Sequence, residues 1–379
     1  MEIKQVTLAA PFLATAELEP LVSIAPHLVL VFAPTEAFTD PAFVAHLKQT
    51  FPNSHRVGCS DAGQISNAGV TVGRASITAV HFDRPNLRVA CATAPDMASS
   101  RNAGVALGRE LSRGDLTAVL LLGPGFDLNG SALIEGLAEA VGPEVILTGG
   151  LAGDDGRFEE TWTYCGDTAS PRNVVGVGFY GDSVTVSHGS FGGWAPFGTA
   201  RKVTRCDGNI LYELDGVPAL EVYRRYLGEY AAGLPGTGLL FPFSMLSDEH
   251  DDLGLIRTIL GIDESTGALI LAGAVVQDGY LRLMHASTNA LVDGAEMAAK
   301  AAMSLNNAPG DGLAIMVSCV GRRLMMGGRV EEEFEAVAAV FGEEATLAGF
   351  YSNGEFAPIL GTCTGVLHNQ TMTIAYLHD

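Results

Sequence analysis

Gly349-Phe350-Tyr351-Ser352-Asn353-Gly354-Glu355-Phe356, near the end of the chain, answers Gly58-Cys59-Ser60-Asp61-Ala62-Gly63-Gln64-Ile65 near its start. Both read Gly-x4-Gly-[Gln/Glu]-[Ile/Phe]. A chain with 46 glycines can reach that match by chance, so the surroundings decide its meaning. Before the first turn lie a strand-length apolar run, Leu28 to Phe32, and a stretch with Phe43, Val44, Leu47 and Phe51 at helical spacing; after it the chain alternates from Ser76 to Phe82. Before the second turn come a strand Leu313 to Ser318, a helix from about Glu331 to Phe341 and a strand into Gly349, and Thr371 to Leu377 alternates after it. A third segment follows the same plan in different letters. It has a strand Ala118 to Leu122, a helix Ser131 to Val141 capped by Asp127 or Asn129, a strand Val145 to Leu147, the turn Gly149-Gly150-Leu151-Ala152-Gly153-Asp154-Asp155, and then Thr161 to Tyr164 and Val174 to Tyr180. The expectation is an α/β protein of two halves, built from repeated strand-helix-strand-turn-hairpin units with mixed sheets. A cleft between the halves would be lined by glycine turns at strand ends.

Beyond the third segment, Ser187 to Gly198 is too rich in glycine and too poor in period for a regular element and reads as a loop between halves. A junction is expected within 199–216, dividing the chain into 1–214 and 215–379. Past it, a helix Pro218 to Leu227, strands Leu239 to Met245, Ile270 to Val276 and Tyr280 to Met284, and a helix Asp293 to Leu305 are expected.

The 379 residues suffice for two or three packed units. Lys+Arg 22 against Asp+Glu 43 leaves a net charge of −21, which repels phosphate backbones and anionic lipid, so neither a nucleic acid nor a membrane is expected as partner. The start of the chain lacks the basic-then-apolar order of a secretory leader, and the apolar runs are far shorter than the ~20 residues of a spanning helix. Cys59, Cys91, Cys165, Cys206, Cys319 and Cys363 stand singly, without metal-ligand spacing, and read as reduced thiols of a cytoplasmic protein.

The Gly58-Cys59-Ser60 turn, Gly149 to Asp155, the run from Gly192-Gly193-Trp194 through Val203-Thr204 to Leu214-Asp215-Gly216, Ser318 to Arg322, Gly349 to Phe356 and His368-Asn369-Gln370-Thr371 occur in an order that resembles the FIST family, across roughly residues 28 to 378. The resemblance implies a cytoplasmic sensory module with N-terminal and C-terminal parts. It would bind a small molecule, with amino acids among the candidates, and signal to a separate protein such as a kinase or cyclase. Some family members resemble haem-binding nitric-oxide sensors.

Arg322 follows a strand end, where a guanidinium holds a ligand carboxylate by a two-pronged pair or joins a structural ion pair. Tyr351, Asn353 and Glu355 alternate along their turn and offer hydroxyl, amide and carboxylate to one pocket, against the plainer reading of turn chemistry. Asp154 and Asp155 could take an amine, or simply cap a turn. Cys319, close to Arg322, is either a thiol made reactive by that charge or a buried inert one. His188, near Trp194 and Phe197 in sequence, is the candidate haem ligand, with a hydrogen-bonded loop histidine as alternative; otherwise no cofactor or metal is expected. Gly176 to Gly181 spells Gly-x-Gly-x-x-Gly but leads into a strand, which excludes a dinucleotide fingerprint, and Asp248 to Asp252 reads as a solvated acidic loop. The reading is a sensor whose ligand is held by Arg322, Tyr351, Asn353, Glu355 and Cys319, with Asp154 from the other half. Its rivals are the haem sensor, a small-molecule enzyme using Cys319, and a protein-binding scaffold suggested by the acidic surface.

Overall fold

The computed structural model describes residues 1–11, 15–157, 159–248, 250–304, 311–359 and 362–379. The first unit runs β1 (Glu2–Ala9), α1 (Thr15–Val22), β2 (Leu28–Ala33), α2 (Thr35–Thr39), α3 (Pro41–Thr50), β3 (His55–Ser60), the hairpin β4 (Gln64–Ser66) and β5 (Gly69–Thr71), and β6 (Arg74–His81). The second runs β7 (Leu87–Thr93), α4 (Ser100–Leu111), β8 (Leu116–Gly123), α5 (Gly130–Val141), β9 (Ile146–Leu151), the hairpin β10 (Thr163–Cys165) and β11 (Thr168–Ser170), and β12 (Asn173–Tyr180). The third opens with β13 (Thr185–Phe191). It is then interrupted by β14 (Ala195–Pro196), β15 (Arg201–Asp207), β16 (Ile210–Leu214), β17 (Val217–Pro218), α6 (Ala219–Leu227), β18 (Phe243–Leu246), β19 (Asp252–Arg257), β20 (Ile259–Asp263), β21 (Ala268–Leu271) and β22 (Tyr280–His285). It resumes with α7 (Thr288–Ser304), β23 (Leu313–Cys319), α8 (Val320–Met326), α9 (Val330–Phe341), β24 (Thr346–Ser352), the hairpin β25 (Gly354–Pro358) and β26 (Gly365–His368), and β27 (Met372–His378).

Three sheets obey one strand order. They read β1-β6-β2-β3-β10-β11, β7-β12-β8-β9-β25-β26 and β13-β27-β23-β24-β4-β5, while the interrupting strands form a fourth sheet of their own. In each of the three, a parallel pair sits at the centre and the hairpin at the edge comes from another unit. The first unit gives β4–β5 to the third, the second gives β10–β11 to the first, and the third gives β25–β26 to the second. No unit completes its own sheet, so the three close into a ring. The strand registers place Gly58, Gly149 and Gly349 at one position, opposite Val31, Leu121 and Met316. A Cβ on any of these glycines would stand 1.9 or 2.0 Å from the facing carbonyl oxygen, which is the physical content of the glycine repeat.

The inner faces of the three sheets meet in one apolar core. Phe32, Val57 and Cys59 from the first, Leu120, Leu122 and Val177 from the second, and Val317, Phe350 and Leu377 from the third all lie within it. Outside it, α1 and α3, α4 and α5, and α7 and α9 cover the outer faces of their own units. The fourth sheet has a separate core around Tyr223, Phe243 and Leu269. The repeated α/β unit and the mixed sheets expected from sequence are therefore present.

The junction expected between 214 and 215 falls in the turn between β16 and β17, which pair with each other inside the fourth sheet. Two expectations are corrected. Residues 187–191 are not a loop but the strand β13, along which Ser187 faces Tyr376 and His188 faces Ala375; their glycine and serine content hides a strand whose partner is distant in sequence. Cys91 and Cys165 are joined in a disulfide, tying the edge strand of the second sheet to the hairpin donated to the first. Spacing could not show this, because hairpin donation is what brings β10 beside the second sheet. The helix expected to end at Leu305 is described to Ser304, and Leu305 lies outside the described residues.

Candidate functional site

The three bends that leave β3, β9 and β24 are laced together around the ring. Ala62 N–H donates to Tyr351 O at 2.8 Å, Gly153 N–H to Ser60 O at 2.9 Å, and Asn353 N–H to Leu151 O at 3.1 Å. Ala62, Gly153 and Asn353 are thus equivalent, and only Asn353 brings a hydrogen-bonding side chain. Facing it is the fourth sheet. A small pocket of about 30 Å³ lies between them, walled by Asn353, Cys319, Val320 and Asn369 from the third unit, Gly125 and Phe126 from the second, and Leu239, Thr258, Leu260 and Ala272 from the interruption. That is room for one or two waters.

The lining is unusual in what it leaves unpaired. Asn353 Oδ1 and Nδ2, Asn369 Oδ1 and Thr258 Oγ1 are buried and have no hydrogen-bond partner among the described residues. Buried polar atoms are nearly always paired, and each orphan costs about 1–3 kcal/mol, so four around one pocket make it the candidate site. Gly125 makes the approach possible, since a Cβ there would stand 2.1 Å from Ala152 O and 2.7 Å from Asn353 Nδ2. Asn369 is fixed by its own Nδ2, which donates to His368 O at 2.9 Å.

One buried acid, Glu355, lies close to Cys319. Glu355 accepts from Ser352 Oγ at 2.7 Å and Thr371 Oγ1 at 2.9 Å; burial nevertheless pushes its pKa up to about 7. Burial, and then the Glu355 charge, push the Cys319 thiol up as well, against the weaker pull of the Gly321 and Gln370 N–H groups and Arg322. Cys319 is therefore held as a thiol, the poor nucleophile of its two forms.

Of the residues singled out from sequence, Cys319 and Asn353 line this pocket. Arg322 does not. It is fully buried, its Nε and Nη2 donate to Glu333 Oε2 at 3.0 and 2.8 Å, and its other donors meet Gly192 O and Leu291 O. Tyr351 donates to the same Glu333, at 3.3 Å. The structural ion pair, one of the two readings of Arg322, is the one found here. Asp154 Oδ2 accepts from the Glu159 and Glu160 N–H groups and so shapes its own loop, while Asp155 pairs with Arg323 at 2.9 Å. Sequence reasoning missed Asn369 as a site residue, although it lies in the quoted His368 to Thr371 stretch. Thr258 and Gly125 carried no signal, because neither has a periodicity or a charge that marks it.

His188 lies on β13, buried, and its Nδ1 has no partner among the described residues. The pocket beside it is walled by Pro143, Glu144, Ile146, Ser187 and Thr362 to Thr364. The aromatic rings expected around it are elsewhere: Trp194 donates to Gln370 O, and Phe197 stacks with Tyr226, Phe241 and His285. Ile146 and Val186 share that wall with hydroxyls, a proline and a carboxylate, and no Phe, Tyr or Trp side chain among the described residues lines it.

A model described as the FIST N domain matches residues 27–217, and one described as the FIST C domain matches residues 219–358. The chain belongs to the FIST family. FIST domains are associated with small-ligand sensing in signal transduction. An uncharacterized protein of Mycobacterium tuberculosis is 30% identical to this FIST chain over 271 residues, 69% of this chain and 68% of its own length. One from Mycobacterium bovis is 29% identical over 250 residues, 62% of this chain and 61% of its own. A crystal structure of cyanuric acid hydrolase from A. caulinodans aligns over 100% of this chain and 98% of its own, at 8% identity and a TM-score of 0.40, too slight a likeness to bear on function. The passage from the N to the C domain, after residue 217, falls within the fourth sheet. No helix among the described residues is long and apolar enough to cross a membrane.

Proposed function

We propose that this FIST chain is a sensor that binds a small, uncharged polar molecule between the Asn353 bend and the fourth sheet. The observation that carries this reading is the cluster of unpaired buried atoms on Asn353, Asn369 and Thr258. The cluster offers donors and acceptors together, and no charged side chain among the described residues lines the pocket. A ligand amide or hydroxyl meets such a surface, whereas the charged ends of a free amino acid would go unpaired there. In the present arrangement the pocket is too small for such a molecule. Binding therefore requires the fourth sheet to lift away from the ring, and the ligand favours the lifted state because its contacts exist only there. Gln370 Nε2, which donates to Leu239 O at 3.0 Å, is one of the ties that must yield. A separate signalling protein, of the kinase or cyclase kind, would read the new seat of the fourth sheet.

The test is a thermal-shift screen of uncharged amides, ureas and polyols on the wild type and on Asn353→Leu. The expected result is a ligand that raises Tm in the wild type and loses that effect in the variant. If every stabilising compound acts equally on both proteins, the pocket is misassigned.

A further inference from the structure

The His368-Asn369-Gln370-Thr371 stretch is walled on two sides by different cavities. Asn369 lines the pocket described above, whereas His368 and Thr371 line another, of about 320 Å³, between β13, the Gly192 to Trp194 turn and the strands β19 and β22 of the fourth sheet. That volume falls in the range of about 300–1,000 Å³ typical of small-molecule sites. We propose that this second cavity, walled by Ser190, Trp194, Asp252, Ile256, Met284 and His368, is a ligand site of its own, taking a molecule with an apolar ring and hydrogen-bond donors, a hydroxyl and an ammonium, at its ends.

The ligand class follows from the polar groups. His368 is 3% exposed, and its Nε2 stands 3.2 Å from Ala357 O. A carbonyl only accepts, so Nε2 carries the proton and Nδ1 keeps its lone pair, which has no partner among the described residues. Burial, with help from Arg257 and His188, lowers the ring's pKa to about 4, so Nδ1 stays an acceptor at neutral pH. A group that reaches it must donate. Ser190 Oγ is also buried and has no partner among the described residues. At the rim, Asp252 is exposed; its Oδ1 is taken by Ser244 Oγ and the Gly254 N–H, both at 2.8 Å, and no salt bridge to it exists among the described residues. Its charge, in a chain of net charge −21, attracts an ammonium and repels an anion. Trp194, Ile256 and Met284 supply the apolar wall, and the indole face favours a cation as well. The two cavities take different chemistry because one is walled by amides and the other by an imidazole and a carboxylate.

The probe is tyramine, which carries a phenol hydroxyl and an ammonium on one ring, titrated into the full chain by calorimetry. Asp252→Asn keeps the oxygen that Ser244 and Gly254 bond and removes only the charge, so its fold is not at risk. Tyramine is expected to bind the wild type, to weaken about tenfold or more in Asp252→Asn, the scale of a lost charge-assisted hydrogen bond, and to weaken about two- to tenfold in His368→Phe, the scale of a neutral one. 4-Hydroxyphenylacetate, in which a carboxylate replaces the ammonium, is expected not to bind. In Asn353→Leu the tyramine affinity should stay unchanged, which separates this site from the first pocket. Absence of tyramine binding at millimolar concentration, equal binding to the wild type and Asp252→Asn, or equal binding of 4-hydroxyphenylacetate overturns the proposal.

Discussion

The bends at Ala62 and Asn353 occupy the same place in two units of one ring, and the second lines the pocket described above. In the first unit, Asp61 turns back on its own loop: Oδ1 accepts from Gly63 N–H at 2.9 Å and Gln64 Nε2. In the third, Ser352 is used inward on Glu355 and Ser318 O, and Asn353 is left with both amide atoms unpaired against the fourth sheet. The ring repeats its backbone three times and its side chains hardly at all. What makes one bend a candidate site is the sheet inserted between β13 and β23, which covers that bend and turns an end of a strand into a cavity wall.

The largest expected effect breaks the third unit where it differs most in charge. Glu333→Ala leaves Arg322 buried without its carboxylate and should cost about 3–5 kcal/mol in chemical denaturation. The pair Arg322→Met with Glu333→Leu should recover most of that loss, since no lone charge then remains. Next is the first unit. Burial pushes Asp61 from its ordinary 3.8 up to about 7, so between these values the folded chain holds a proton that the unfolded chain has lost. Stability from this group therefore falls as pH rises from about 4 to about 7 and is flat above. Asp61→Asn should gain on the wild type across that window, by on the order of 2–4 kcal/mol. His368 tilts the other way but does so in both proteins, so the difference in denaturation midpoints isolates Asp61. Smaller still, Asn353→Leu should leave stability within about 1 kcal/mol of the wild type or raise it, because it removes unpaired polar atoms from a buried wall. A loss of several kcal/mol would mean that Asn353 holds the ring together instead of waiting for a ligand. The smallest is Thr258→Val, near neutral for stability and about tenfold weaker for any ligand that Asn353 recognises.

Much of the ring was legible in the residues. Leu28 to Phe32, Ala118 to Leu122 and Leu313 to Ser318 read as strands because each is a short apolar run, buried on both faces in the fold, and about Glu331 to Phe341 read as a helix because one face is apolar. The repeated glycine was visible too, since its cause is local: the facing carbonyl leaves no space for a Cβ. The strand β13 was not legible, because a polar, glycine-rich strand owes its existence to β27, nearly two hundred residues later. Of the site, Cys319 and Asn353 could be marked from their place at strand ends. Arg322 was marked for the same reason, but whether a cation meets a ligand or an acid depends on what α9 places beside it.

By itself, the order of residues determined the repeated α/β unit, the acidic surface and the turns where strands end, since these follow from period, charge and backbone sterics over short spans. Only the tertiary structure decided that hairpins pass from unit to unit, that Cys91 meets Cys165, and that a fourth sheet closes over Asn353. Those outcomes depend on which distant surfaces bury each other, a free-energy balance that no local stretch of the chain contains.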